Sequence, residues 1–240
     1  MKTMNGLVNN ALETLTKPQK TLAKECAECS NLFDVADDVF ARYMRICPSC
    51  QSKADEKQRS ADIQRRSQER AAKWLTICPP EFRKLDPARL PNPKKLVEVM
   101  AWCFGPRGLI LHGDTGRGKT RCAWALLARE HEAGRNIAIM DSMAGLEYAS
   151  LYNQSAYEVK KWTARLIKTD ILLFDDVFKS KLSDSFENEL FTLLDQRIAW
   201  HRPCILTTND VGETLASRMT PDRGNPFLRR LREHCQSIQF

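Results

Sequence analysis

Residues Gly113 to Thr120, with the sequence Gly-Asp-Thr-Gly-Arg-Gly-Lys-Thr, restrict the fold of this chain more than any other stretch. They fit the phosphate-binding P-loop pattern G-x-x-x-x-G-K-[ST]. The apolar run Leu109–Leu111 before them predicts a short buried strand, and the apolar spacing over 121–133 predicts a helix after them. A strand, a glycine loop and a helix in this order are typical of a parallel α/β sheet that binds phosphate at a helix N-terminus.

The residue types of this loop explain how it would hold the phosphates of a nucleotide. Glycines let the backbone approach phosphate oxygens closely, so that successive N–H groups point at the anion. Lys119 is expected to reach the β- and γ-phosphates, and the Thr120 hydroxyl is expected to bind Mg²⁺. A glycine turn that carries a lysine by coincidence is the alternative, and the flanking strand and helix argue against it. The predicted nucleotide-binding residues are Gly113, Asp114, Thr115, Gly116, Arg117, Gly118, Lys119 and Thr120.

A second motif lies about 50 residues downstream, where the apolar run Ile171–Phe174 ends in Asp175 and Asp176. This is the Walker-B arrangement, in which a buried strand delivers a carboxylate to the edge of the sheet where ligands bind. Asp175 is predicted to hold Mg²⁺. Asp176 is predicted to orient or deprotonate the attacking water, as a catalytic residue. An acidic pair in a solvated loop is the alternative, and the P-loop upstream favours the catalytic interpretation.

Two C-x-x-C pairs near the N-terminus predict a zinc site. Cys26 and Cys29 are separated from Cys47 and Cys50 by 17 residues, which fits a four-thiolate zinc module. Two such pairs complete a tetrahedron without an open position, so the site would be structural rather than catalytic. The apolar residues between the pairs are expected to form a small core that the metal holds together. They are Phe33, Val35, Val39, Phe40, Tyr43 and Ile46.

Composition limits the remaining possibilities. The chain has 240 residues, nine cysteines, a net charge of +7 and a pI near 9.0. No apolar run approaches the ~20 residues that span a membrane, and residues 1–20 lack the apolar segment of a secretory signal. The cysteines outside the two pairs are scattered, which indicates reduced thiols and a cytoplasmic location rather than a disulfide framework. The positive charge favours a polyanionic partner without identifying it.

The pattern divides the chain into three parts. Residues 1–50 hold the zinc-binding module, residues 51–73 form a charged helical linker, and residues 74–240 form a core in which strands and helices alternate. This alternation predicts an α/β fold with a three-layer parallel sheet. The predicted strands are Leu109–His112, Ile137–Met140, Ile171–Phe174, Cys204–Thr207 and Ser237–Phe240. The predicted helices are near 94–104, 119–133, 145–168 (broken), 184–200, 212–219 and 226–234.

From about Trp74 onward, the chain resembles the ATPase core of bacterial helicase loaders of the DnaC type and of the related IstB-like insertion-sequence ATPases. Both belong to the AAA+ superfamily of P-loop NTPases. Besides the two motifs above, the resemblance depends on the proline-bearing entry Cys78–Phe82 and on Cys204–Asn209, which is similar to a sensor strand that ends in a polar pair. A zinc module before such a core also resembles loaders whose N-terminal domain binds the replicative helicase.

This resemblance implies ATP, Mg²⁺ and Zn²⁺ as ligands, an ATPase core without a lid domain, and a homo-oligomer in the ATP-bound state. It also implies that Asn209 senses the γ-phosphate, where a simple turn residue is the alternative. Arg230 matches the position of an arginine finger that a neighbouring subunit inserts. Four nearby arginines compete for this role, and surface or DNA-contacting arginines are the alternative. They are Arg218, Arg223, Arg229 and Arg232.

The function that the resemblance favours is an ATP-hydrolysing helicase loader, which delivers a replicative ring helicase to single-stranded DNA. A transposition helper ATPase that binds duplex DNA and a transposase shares the same core and is the alternative. A non-hydrolysing adaptor is a third possibility, against which the intact motifs argue. No membrane partner is expected.

The same resemblance implies that single-stranded DNA contacts residues 142–168, where interleaved aromatic and basic residues suit stacking and phosphate contacts. A buried apolar face with solvated lysines is the alternative for the same segment. The residues concerned are Tyr148, Tyr152, Tyr157, Lys160, Lys161, Trp162, Arg165 and Lys168.

Overall fold

The structure is a computed structural model, and it describes residues 21–37, 39, 43–84, 86–179, 182–210 and 212–240. The chain divides into two compact units, residues 1–68 and residues 69–240. The finer division at residues 50 and 73 that the sequence indicates stays a prediction. The two units are considered separately below.

The N-terminal unit contains a two-stranded antiparallel hairpin. Strand β1 spans Thr21–Glu25 and strand β2 spans Leu32–Ala36, with Glu25 opposite Leu32. The turn between them carries the first cysteine pair, and the backbone N–H of Cys26 donates to Asn31 O at 2.9 Å. The hairpin therefore presents two cysteines in a tight turn at one end.

The small core predicted for this unit is only partly present. Val35 is buried, while Phe33 and Ile46 are half-buried. The prediction is wrong for Val39 and Tyr43, which are 72% and 80% exposed. Phe40 lies outside the described residues. A two-stranded hairpin offers too little surface to cover six apolar side chains, so some of them remain in contact with water.

A long helix, α1, spans Pro48–Ile77 and contains no buried residue. It extends beyond the predicted 51–73 at both ends. Its sequence is charged on all sides, which is typical of a helix in contact with solvent. Near its end, Trp74 and Ile77 are partly buried against an apolar cluster of the second unit.

The second unit is built on a five-stranded parallel sheet with the order β4-β5-β6-β3-β7. Strand β3 is central to the function because the P-loop follows it, and it lies between β6 and β7. This confirms the predicted P-loop NTPase fold. The strands are β3 Gly108–His112, β4 Ile137–Met140, β5 Ile171–Asp175, β6 Cys204–Thr208 and β7 Cys235–Gln239.

Helices cover both faces of this sheet, so the unit has three layers. Apolar side chains of α2 and α3, such as Val99 and Leu126, pack on one face with Leu109 and Leu173. The remaining helices pack on the other face around Phe174. The helices are α2 Pro93–Met100, α3 Lys119–Glu132, α4 Ala144–Gln154, α5 Ala156–Lys168, α6 Asp184–Ala199, α7 Glu213–Ala216 and α8 Pro221–His234. Short 3₁₀ turns lie at Pro80–Phe82, Pro87–Arg89 and Val177–Lys179.

Two helix predictions differ in outcome. The break predicted within 145–168 is confirmed at Ser155, whose extended backbone ends α4 and whose hydroxyl accepts the Glu158 N–H at the start of α5. The last helix begins at Pro221, five residues before the predicted start at 226. Pro221 is favourable in the first turn because proline needs no hydrogen-bond acceptor there. The buried carboxylate of Glu187 also accepts the Thr220 N–H just before this helix.

Candidate nucleotide and metal sites

The P-loop connects β3 to α3 at the carboxyl edge of the sheet. Gly118 is the N-cap of α3 and has a left-handed backbone with φ of 91°, which side-chain-bearing residues rarely adopt. At Gly113, a β-carbon would lie 2.4 Å from Phe240 O, so only glycine fits beside the end of the chain. The local sequence therefore forms an open backbone loop in front of a helix N-terminus, which is a ready anion site.

Lys119 lies within this loop and is 6% exposed. Its Nζ donates hydrogen bonds of 2.8 Å to Gly113 O, Asp114 O and the side-chain Oδ1 of Asn209. Burial lowers the pKa of Lys119, while the carboxylates of Asp176 and Asp114 oppose that shift. The buried ammonium group is thus held only by neutral acceptors, and a phosphate at the loop would supply the negative charge that it lacks.

The predicted magnesium ligands lie together. The Thr120 hydroxyl donates to Asp175 Oδ1 at 2.9 Å, and the Thr207 hydroxyl of β6 donates to the same oxygen at 2.6 Å. A hydroxyl and a carboxylate at this spacing are the hard oxygen donors that Mg²⁺ prefers. Thr207 orients Asp175 from the neighbouring strand, so the geometry fits a magnesium site bound by one side chain from each motif.

Asp176 follows in a strained position. Its φ of 52° lies in the left-handed region, and its N–H donates to Thr207 Oγ1 at 3.1 Å. Backbone strain of this kind is concentrated at functional sites. Burial raises the pKa of Asp176, the neighbouring Asp175 carboxylate adds to the shift, and Lys119 opposes it. A carboxylate with a raised pKa accepts a proton more readily, as a general base must.

These side chains surround a cavity of about 320 Å³. Three lining residues, Phe82, Arg89 and Arg121, were missed as site residues from the sequence. Phe82 belongs to the proline-bearing entry motif, and its ring stacks on Trp124 with centroids 5.9 Å apart. Nothing in the sequence marked Arg89 as a site residue, since it is a single arginine in a proline-rich stretch. The described lining residues are Phe82, Arg89, Thr115, Gly116, Gly118, Lys119, Thr120, Arg121, Asp176 and Asn209.

Arg230 is not among these lining residues. It forms an ion pair with Asp195 of α6, and its guanidinium lies over the Phe191 ring at 4.3 Å. Three of its competitors are also paired, Arg218 with Asp210 at 2.8 Å, Arg223 with the buried Glu187 at 3.3 Å and Arg229 with Glu233 at 3.9 Å. Within one chain, the structure therefore does not bring the predicted arginine finger to the P-loop.

The four cysteines of the N-terminal unit converge. The sulfur atoms of Cys26, Cys29, Cys47 and Cys50 all lie within 4.8 Å of one another. The Cys47 N–H donates to Cys26 Sγ at 3.2 Å, and this bond lowers the pKa of the Cys26 thiol to about 6. Zinc binds four thiolates tetrahedrally at ~2.3 Å, which requires the four sulfur atoms to lie close together. The cluster fits a zinc ion.

The segment predicted to contact DNA has two different faces. Tyr148 and Trp162 are buried and pack against each other with ring centroids 6.2 Å apart, as the apolar alternative expects. Tyr152 and Tyr157 are 61% and 70% exposed. Four basic residues of α5 are exposed too, namely Lys160, Lys161, Arg165 and Lys168. Only the exposed residues are positioned to contact a ligand.

Comparisons with known proteins agree with this geometry. The profile of the family described as IstB-like ATP binding protein matches residues 55–240. A search of curated proteins found no match. In the part of the chain that the structure describes, no helix is both long and apolar enough to cross a membrane.

Solved structures share the fold at low sequence identity. The crystal structure of DnaI matches with a TM-score of 0.54 and 19% identity, covering 68% of this chain and 94% of that one. The DnaC helicase loader matches with a TM-score of 0.51 and 21% identity, covering 61% and 86%. AMPPCP-bound DnaA from Aquifex aeolicus matches with 0.52 and 13%, covering 62% and 45%. The chain spans about half the length of this DnaA structure and of two further structures, a DNA replication initiation factor and a DnaA bound to AMPPCP and single-stranded DNA.

Proposed function

This chain belongs to the family of IstB-like ATP binding proteins, and we propose that it is an ATP-hydrolysing helicase loader. In this proposal it delivers a replicative ring helicase to single-stranded DNA. The observation that carries the proposal is that Lys119, Thr120 and Asn209 line one cavity, with Asp175 hydrogen-bonded to Thr120, which is an arrangement suited to bind and cleave a nucleoside triphosphate.

ATP is the substrate of the proposed reaction. When ATP binds, the Lys119 ammonium group leaves the carbonyl oxygens of Gly113 and Asp114 and donates to the β- and γ-phosphates instead. This change is favourable because a hydrogen bond to a charged acceptor is stronger than one to a neutral carbonyl. Thr120 and Asp175 would hold Mg²⁺, which supplies positive charge to the phosphate oxygens. Thr207 keeps the Asp175 carboxylate in place through its hydroxyl.

In this proposal, Asp176 and Asn209 activate the attacking water. Asp176 orients the attacking water and accepts its proton, for which its raised pKa is suited. The Asn209 amide holds Lys119 through its oxygen, which leaves the NH₂ group free to donate to the γ-phosphate or the water. Release of Lys119 from Asn209 on ATP binding would then report the presence of the γ-phosphate.

Two surfaces would contact the partners. The exposed apolar residues of the zinc module, Leu32, Val39 and Tyr43, are 72–80% exposed and suit a protein interface with the helicase. On the core, Tyr152 and Tyr157 would stack on bases while Lys160 and Lys161 neutralise phosphates. A second function, assistance to a transposase on duplex DNA, is favoured by the name of the matching family alone.

Turnover is proposed to occur between subunits of an ATP-bound homo-oligomer. Arg230 would leave Asp195 and complete the site of the neighbouring subunit. We expect Arg230→Ala to reduce ATP turnover but not ATP binding. Mixing this variant with Lys119→Ala should restore part of the activity, because some interfaces combine an intact P-loop with an intact arginine. No recovery on mixing would exclude a role of Arg230 between subunits.

Co-elution with the replicative helicase from the same source tests the loader proposal. We expect a complex with the full chain that depends on ATP and Mg²⁺ and that is lost when Leu32 and Tyr43 are both changed to Ser. A matched control changes Thr21 and Asn31, exposed polar residues of the same unit, to Ser. Absence of a complex under every nucleotide condition, together with ATP-dependent binding to duplex DNA and a transposase, would replace the loader by the transposition helper.

A further inference from the structure

A groove of about 630 Å³ runs along the edge strand of the core sheet, away from the nucleotide cavity. Its floor is β4, and its walls come from the end of α1 and the end of α5. No residue of the groove contributes to the ATP site described above. The described lining residues are Lys73, Ile77, Asn136, Ile137, Ala138, Ile139, Arg165, Lys168 and Thr169.

Among the described residues, no strand pairs with the outer side of β4. There β4 pairs with β5 alone, at the end of the sheet order. The carbonyl of Asn136 accepts the Ile171 N–H and so points toward β5. Because backbone direction alternates along a strand, the N–H and C=O groups of Ile137 and Ile139 point outward into the groove. Such an edge is a template for one more strand.

The described charged residues that line the groove are all basic. Lys73, Arg165 and Lys168 line it, and among the described lining residues there is no carboxylate. Lys73 Nζ donates to the neutral Asn136 Oδ1 at 3.0 Å. The nearby Asp170 carboxylate accepts the Asn136 N–H at 2.8 Å and forms an ion pair with Arg202 at 4.0 Å, so both interactions engage it outside the groove lining. The groove therefore attracts negative charge.

We propose that this groove binds an extended acidic segment of a protein partner, which adds a strand to β4. The outward N–H and C=O groups of Ile137 and Ile139 would pair with its backbone, and the three cations would pair with its carboxylates. Apolar side chains of the segment would contact Ile77 and Ile139. A nucleic acid fits less well, since no aromatic residue is among the described lining residues and bases would have nothing to stack on.

The test uses the full chain and a fluorescent peptide of alternating Asp and Val, long enough to pair with the four residues of β4. We expect saturable binding and slower hydrogen exchange at the amides of Ile137 and Ile139. The double variant Arg165→Glu/Lys168→Glu should weaken the binding by about tenfold or more, because attraction becomes repulsion at two positions. The matched control is Lys94→Glu/Arg107→Glu, which reverses one exposed lysine and one exposed arginine outside the groove.

Four results would overturn the proposal. The first is the absence of saturable binding by the Asp-Val peptide. The second is equal binding of a Lys-Val peptide, and the third is equal weakening by the control variant. The fourth is binding of an oligothymidylate that displaces the peptide and is lost in the Arg165→Glu/Lys168→Glu variant, which would assign the groove to nucleic acid. ATP turnover measured in parallel separates this proposal from the proposed function, because no groove residue lies at the nucleotide cavity.

Discussion

The N-terminal unit and the core of this chain bury apolar surface to very different extents. In the described part of residues 1–68, the buried apolar residues are Val35 and two cysteines of the metal cluster, Cys26 and Cys47. The core instead buries whole faces of a five-stranded sheet between two helical layers. Apolar burial is the main driving force of folding, so we expect the core to fold by itself and the small unit to need a metal ion at its cysteines.

This difference also separates two kinds of site. A zinc ion bound by the four cysteines would have no open coordination position, so we expect the cysteine cluster to stabilise its unit rather than to catalyse a reaction. In the core, the charged residues at the nucleotide cavity lower the stability of the fold, and the apolar side chains buried between the sheet and the helices compensate for this loss. Four changes test this contrast, from the largest expected effect on folding to the smallest.

Removal of zinc should unfold the N-terminal unit completely and leave the core folded. The expected result for Cys47→Ser, or for chelation, is loss of the one zinc ion per chain and of hairpin amide protection, with unchanged ATP binding by the core. Metal analysis, hydrogen exchange and nucleotide titration measure the three quantities. Detection of no zinc in the wild-type chain would disprove the metal site, and loss of ATP binding on chelation would break the contrast between the units.

Arg197→Met should destabilise the core by about 3–5 kcal/mol, since it leaves buried carbonyls without donors. Arg197 is fully buried, and its guanidinium donates to Thr169 O at 2.8 Å and Pro203 O at 2.7 Å. Denaturant titration of the core transition measures the change. Arg202→Met, on a half-buried arginine nearby, is the control and should cost far less. A transition at or above the wild-type midpoint would show that the apolar replacement is tolerated.

Lys119→Ala should abolish ATP turnover with little change in stability. The variant loses three hydrogen bonds but also removes a buried charge, and these effects oppose each other. A steady-state ATPase assay should show a loss of about 100-fold or more, by analogy with removal of other charge-stabilising groups. Lys94→Ala, on an exposed lysine, should retain activity. Normal turnover by Lys119→Ala would remove the argument from the P-loop.

Asp176→Asn should slightly stabilise the core at neutral pH while it lowers turnover. The pKa of Asp176 is raised in the folded state, chiefly by burial, so the native chain loses stability as pH rises from the unfolded pKa through the folded one. The difference in Tm between variant and wild type should therefore be near zero at about pH 3 and positive at pH 7. Thermal melts across this pH range measure it. A variant that is less stable at pH 7 would contradict the assigned direction.

Much of the core was predictable because its signals are local. The P-loop, the apolar strand before Asp175 and the break near Ser155 each depend on the preferences of adjacent residues. The cysteine spacing is also a local signal, and the convergence of the four sulfur atoms agrees with it. The early start of α8 was missed because it depends on Glu187, 33 residues away from Thr220 in the sequence.

The sequence by itself determined which residues carry the chemistry, because motif residue types must satisfy fixed ligands such as phosphates and metal ions. The tertiary structure alone decided how those residues are held. Thr207 orients Asp175, and Arg89 lines the nucleotide cavity. Arg230 forms an ion pair with Asp195, and three basic residues line the groove beside the edge strand β4. These relations join residues from distant elements, and the packing of sheet and helices brings them together through burial of apolar surface that has no local sequence signature.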